Sequence, residues 1–124
     1  MNKIFTNNAP KPIGPYSQAV LVGDTLYCSG QIALDPVSGE FIGGDVRGET
    51  RRVCENVGAV LGSAGLTFGN VVKTTCFLAD MADFAAFNEV YGAYFTSAPA
   101  RSCVAVKELP KGALVEIEVI AARQ

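Results

Sequence analysis

The 124-residue sequence predicts an α+β fold, a single sheet carrying two helices on one face. Three observations predict it. Apolar residues recur at helical spacing in two stretches, residues 46–64 and the stretch after Asp80. The remaining ordered stretches alternate or are rich in β-branched residues. The two kinds interleave as β-β-α-β-α-β-β, and right-handed crossovers of consecutive β-α-β units place both helices on the same side. With hydrophobic residues at 49%, residues 1–124 have enough chain to bury a core as one domain and no room for a second.

Residues 7–16 contain Pro10, Pro12, Gly14 and Pro15, which deny regular structure and read as an ordered loop delivering Tyr16 somewhere specific. Gln18–Val22 and Thr25–Ile32 flank Gly23-Asp24, a hairpin signal. Gly30 costs the second strand stability and marks either a bulge or a close approach of backbone to something else. Ser29-Gly30 is thus a candidate ligand edge, with an ordinary bulge as the equal alternative. Asp35–Gly39 is turn chemistry, and Asp45 is a credible N-cap. Val46, Thr50, Val53, Cys54, Val57, Val60, Leu61 and Ala64 then define an amphipathic helix over 46–64, stopped by Gly65 with Leu66 as its apolar contact. Arg47, Arg51 and Arg52 are interleaved with Glu49 and Glu55, and an Arg51–Glu55 pair at i,i+4 reads as a solvated helix face.

Val71–Ala79 reads as a strand, and Asp80 caps a second helix. Its Phe84, Phe87, Tyr91, Tyr94 and Phe95 form an aromatic stripe suited to the core, with Asn88 at the polar boundary. Pro99 cannot continue that helix and forces the chain extended. Alternation then puts Arg101, Cys103 and Ala105 on one face and Ser102, Val104 and Val106 on the other. The apolar set is expected to pack, leaving a guanidinium and a thiol opposite. The Arg101 fork suits either a carboxylate or phosphate held bidentately or a salt bridge. Pro110-Lys111-Gly112 turns into the strand Leu114–Ala122, where Val115, Ile117, Val119 and Ala121 face one way and Leu114, Glu116, Glu118 and Ile120 the other. An uncovered face with Arg101, Cys103, Leu114, Glu116 and Ile120 is too apolar to leave wet and too charged for a core. It predicts an oligomer whose sheets meet around polar clefts.

A net charge of −2 and a pI near 5.0 lack the basic face of a protein that neutralises nucleic-acid phosphates. There is no histidine, which leaves Glu, Asp, Tyr, Cys and Lys as proton carriers and removes the commonest zinc and iron ligand sets. Cys28, Cys54, Cys76 and Cys103 lie in apolar segments without a Cys-x-x-Cys, as free buried thiols do. The N-terminus has no apolar leader and no apolar run is long enough to span a bilayer, so a soluble, cytoplasmic protein is expected.

Gly14–Ala19, Ser29-Gly30-Gln31, Asn56-Val57 with Gly65, Val72–Thr74, Asp83-Phe84 with Asn88 and Tyr91, Pro99–Val104, Leu109-Pro110 and Glu116–Glu118 follow one another at a spacing that resembles the RidA/YjgF family of reactive-intermediate deaminases. The resemblance runs from about the first strand to the C-terminus. It implies a chorismate-mutase-like subunit, a mixed sheet of about six strands with two helices on one face, assembled as a homotrimer with sites between subunits. It implies hydrolysis of enamine and imine intermediates, such as 2-aminoacrylate, 2-iminopropanoate and 2-iminobutanoate, to 2-keto acids and ammonia, without metal or cofactor. Arg101 becomes the carboxylate clamp and Glu116 the residue that holds and activates water, with Arg101 near enough to favour the ionised form. Tyr16, Ser29, Gly30, Asn88 and Cys103 become substrate-binding residues. For Cys103 a packing role is preferred to a nucleophilic one, because no histidine can serve as its base. The segment Thr96–Ala98 is shorter than in many members, which bears on the pocket rim. The alternative is a non-catalytic trimer that binds or senses small 2-keto acids through the same clamp. The ribonuclease role attached to some relatives has little support from an acidic chain without histidine.

Overall fold

A computed structural model describes residues 1–124. In chain order the elements are β1 (Asn2–Ile4), β2 (Ala19–Val22), β3 (Thr25–Gln31), α1 (Val46–Ser63), β4 (Val71–Leu78), α2 (Phe84–Tyr94), β5 (Ala100–Ala105) and β6 (Val115–Ala122). They build a six-stranded sheet ordered β1-β2-β3-β6-β4-β5. β4 and β5 run parallel, joined by the α2 crossover, and every other neighbouring pair is antiparallel. The hairpin turns at Gly23-Asp24, with Val22 opposite Thr25. The β1 strand extends the expected order by one. No helix is long and apolar enough to cross a membrane.

Helix α1 begins where Asp45 Oδ1 accepts the Gly48 N–H at 2.8 Å, and it ends as Gly65 takes φ of +76°. Its Val53, Cys54, Val57, Val60 and Leu61 pack with Val115, Ile117, Val119 and Ala121 of β6 in one buried cluster. Burying a Val or Leu side chain contributes about 1.5–3 kcal/mol, so this strip outweighs the roughly 1 kcal/mol that each helical glycine costs. Asp80 caps a short 3-10 turn, Met81–Asp83, that leads into α2 rather than capping α2 itself. Phe87, Tyr91 and Phe95 from the aromatic stripe are buried. Leu114 leans on the core instead of the open face, because β6 starts one residue after it. On the surface of α1 it is Arg52, not Arg51, that meets Glu55, at 3.3 Å, while Arg47 crosses to Glu89 of α2 at 2.8 Å. All four cysteines are free.

Glu49, in the first turn of α1, is only 2% exposed, and its Oε1 accepts the Leu114 N–H at 2.8 Å, tying α1 to the start of β6. Burial pushes its carboxyl up, against the opposing pull of the Leu114 and Val115 N–H groups. The folded chain therefore holds this proton to higher pH than the unfolded chain. Its contribution to stability is complete below the ordinary carboxyl pKa of about 4.3 and is lost as pH rises through the folded value. Glu49→Gln keeps an oxygen for Leu114 and removes the titration. Its Tm relative to wild type should therefore improve between pH 4 and pH 7 in thermal melts. A difference that does not vary with pH would show that Glu49 titrates alike in both states.

Candidate active site

The first half of the site is built by a buried amide. Gln18, just before β2, donates through Nε2 to the carbonyls of Thr6 (3.0 Å), Ala9 (3.3 Å) and Pro10 (2.9 Å), and its Oε1 accepts the Thr6 N–H at 2.7 Å. One side chain thus satisfies several backbone groups of the proline-rich loop and fixes its path. Ser29 fastens the other end: its Oγ donates to the Ser17 carbonyl at 2.6 Å and its N–H to the Gln18 carbonyl at 2.9 Å. The loop delivers Tyr16 to the wall of a cavity of about 500 Å³ that Lys11, Ser29, Gly30, Glu116 and Glu118 also line. The sequence reading missed Gln18 as the loop's anchor; its signal was a lone amide at the head of an apolar strand.

At Gly30 the bulge is present, and the close approach of its backbone is to the side chain of Glu116. The β3–β6 register shifts between Cys28 and Gln31, which is a bulge. A Cβ built on Gly30 would also lie 2.9 Å from Glu116 Cδ and overlap the carboxylate, so the glycine makes room for that acid. Burial pushes the Glu116 carboxyl up, and the Glu118 carboxylate on the same strand face adds to the effect. Arg101 plays no part in this, which corrects the expectation that Arg101 beside it favours ionisation within the chain.

Arg101 belongs to a second half. In the sheet it stands beside Thr74, whose antiparallel partner is Val119, and both are buried on the helix-covered face. Cys103 is paired with buried Cys76 on that same face. Glu116 instead shares the open face with its neighbour Phe77 and, beyond it, Val104, which is 44% exposed. The expected face of β5 is therefore reversed: Arg101 and Cys103 lie on the helix side and Val104 on the open side. The physical reason is α2. Its Asn88 Oδ1 accepts from Arg101 Nη1 at 2.7 Å, and its Tyr91 and Phe84 rings lie 4.8 and 5.5 Å from the guanidinium carbon. Neutral groups thus hold the cation, and no carboxylate in the chain pairs with it. A hollow of about 460 Å³ in front of it is lined by Asn88, Tyr91, Thr96, Ala98 and Pro99. Burial pushes the Cys103 thiol up despite Arg101, which makes it a poor nucleophile at neutral pH.

The chain thus brings Tyr16, Ser29, Gly30 and Glu116 together on one side of the sheet, and Asn88, Arg101 and Cys103 on the other. No group of His, Cys, Asp and Glu is arranged to hold a metal ion. An arginine fork without a counter-ion and a half-buried carboxyl are both present, yet a sheet separates them within one copy.

A family model described as endoribonuclease L-PSP matches residues 6–123. The 2-iminobutanoate/2-iminopropanoate deaminase of Mus musculus is 53% identical over 119 residues, covering 95% of this chain and 88% of the mouse protein. The crystal structure of the YjgF gene product from E. coli superposes with a TM-score of 0.95 at 45% identity, covering all of both chains. That of E. coli TdcF with bound serine gives 0.95 at 44% identity, again over both whole chains. With the fold shared from end to end and nearly half of the residues or more identical, the chain belongs to the endoribonuclease L-PSP family, the group that contains the RidA/YjgF proteins.

Proposed function

We propose that this chain, as one RidA-like domain over residues 1–124, hydrolyses 2-imino acids and their enamine tautomers to 2-keto acids and ammonia. The observation that carries the reading is the Arg101 guanidinium, fixed by neutral Asn88, Tyr91 and Phe84 and left without a counter-ion. Held by neutral groups, this fork keeps its charge and its free N–H groups for an incoming carboxylate. The activity for which the mouse relative is named and the serine bound to TdcF fit a small substrate with a carboxylate and a nitrogen on the adjacent carbon.

In this reading two copies complete a site, one offering the Arg101 half and the other the Glu116 cavity, within a homotrimer. Arg101, flanked by Asn88 and the backbone at Cys103, takes the carboxylate; Tyr16, Ser29 and Gly30 wall the reacting end. Water held by ionised Glu116 adds to the imine carbon as the carboxylate takes its proton. With the imine protonated at the start, Glu116 returns the water's proton to the nitrogen and takes the proton of the new hydroxyl as the C–N bond breaks. The keto acid forms, and the proton left on Glu116 passes to the departing ammonia as ammonium. A carboxyl raised by burial suits a group that must both accept and release a proton. These steps call for no metal or cofactor. The endoribonuclease description is not carried over: a net charge of −2 and the absence of histidine give phosphate binding and acid–base cleavage of RNA little footing. Four free thiols suit a reducing cytoplasm.

The test couples a pyridoxal-phosphate-dependent threonine or serine dehydratase to this protein and follows imine decay and keto-acid formation. Imine decay should accelerate in proportion to the added chain. Saturable binding of 2-ketobutyrate without that acceleration would select the alternative, a carboxylate binder without turnover, which bound serine in TdcF also fits.

A further inference from the structure

The aromatic stripe of α2 reads as core, and most of it is. Tyr91 does something more. Its ring lies 4.8 Å from the Arg101 guanidinium carbon, and its hydroxyl shares a 2.8 Å hydrogen bond with the hydroxyl of Thr74, which is fully buried. Thr74 is also the residue beside which Arg101 stands in the parallel β4–β5 pair. The ring is clamped on its far side by Phe95, with centroids 4.4 Å apart and planes 21° from parallel. Strand β4 therefore sets the ring's height and Phe95 its tilt.

We propose that Tyr91 is a positioning residue that fixes the plane of the Arg101 fork, so that its unused N–H groups are presented edge-on to a planar carboxylate. Asn88 engages one nitrogen from a single direction, and one hydrogen bond leaves rotation about its own axis open. A ring face removes that rotation. It does so without neutralising the charge, because a π face attracts a cation but competes poorly with a carboxylate for its N–H groups. Burial raises the Tyr91 phenol, so the hydroxyl stays protonated and the Thr74 bond is kept across neutral pH. The outer edge of β5 is unpaired in the sheet, so besides Asn88 only the Tyr91 ring and the more distant Phe84 ring support the arginine.

The inference rests on the carboxylate reading of Arg101, and the experiment separates the two. Kd for 2-ketobutyrate and KM and kcat for the dehydratase-supplied imine are measured for Tyr91→Phe, Tyr91→Leu, Tyr91→Met and Arg101→Ala. Tyr91→Phe keeps the ring and should stay within about threefold of wild type in Kd and KM, with a lower Tm from the lost Thr74 bond. Tyr91→Leu should raise both Kd and KM by about 5- to 30-fold, the scale of a cation–π contact in a partly desolvated place, with kcat within about twofold. Tyr91→Met fills similar volume without a ring and should match Tyr91→Leu, which answers the case where the leucine variant does not fold. If Arg101→Ala weakens binding while Tyr91→Leu and Tyr91→Met leave Kd and KM at wild-type values, the positioning role is overturned and the clamp stands. If Tyr91→Phe falls as far as Tyr91→Leu, the ring face is not the agent and the inference also fails. Arg101→Ala without effect would overturn the carboxylate reading itself.

Discussion

Gly30→Ala should lower kcat/KM for imine hydrolysis by about 10²-fold or more while the chain still folds, because misplacing a catalytic group by about 1 Å can cost that much. The added Cβ would lie 2.9 Å from Glu116 Cδ and 3.1 Å from its Cγ. What it meets is a side chain and not backbone, so the carboxylate swings aside and the sheet survives. The effect should fall mainly on kcat, since the Arg101 half is untouched. Gly62→Ala supplies the control: nothing lies within 4 Å of a Cβ there, and the substitution should leave activity unchanged while stabilising α1 by up to about 1 kcal/mol. Steady-state rates with threonine dehydratase, alongside thermal melts, decide the matter. Gly30→Ala with wild-type kcat would mean that Glu116 does not act from the position beside it.

Much of the architecture was legible because burial imposes a period. β6 alternates cleanly, with Val115, Ile117, Val119 and Ala121 all at 1% exposure or less, and α1 repeats its apolar positions from Asp45 to Gly65. β1 was not legible, since Asn2-Lys3-Ile4 carries no strand pattern and owes its conformation to pairing with β2. The reversed face of β5 is the more instructive failure. Alternation tells which residues share a face, not which face is covered. That depends on the register Thr74 opposite Arg101 and on α2, contacts far apart in sequence. An edge strand has cover on one face only, and here aromatic rings and an amide favour the guanidinium over Val104. The candidate residues are legible as types, but their division between two sides of the sheet depends on that same non-local register.

That division makes the assembly itself testable. Arg101→Ala removes a fork whose charge-assisted bonds are each worth about 1.5–3 kcal/mol, so kcat/KM should fall by about 10²- to 10⁴-fold. Glu116→Gln keeps the shape and removes the base, and a loss of about 10²- to 10⁴-fold in kcat should follow with little change in Kd for 2-ketobutyrate. Each variant alone is then nearly silent. If every site draws Arg101 from one copy and Glu116 from the next, refolding the two variants together in equal amounts recreates intact sites. In a closed ring, each boundary pairs an Arg101-bearing chain with a Glu116-bearing neighbour about one time in four, so about a quarter of wild-type activity should return. A site contained within one chain cannot be restored this way, because every chain in the mixture lacks one of its two groups. Recovery of no activity from mixed oligomers, verified as mixed by mass, would overturn the shared site. Recovery near a quarter would establish that the sheet separating the two halves in one copy is what obliges a second copy to complete them.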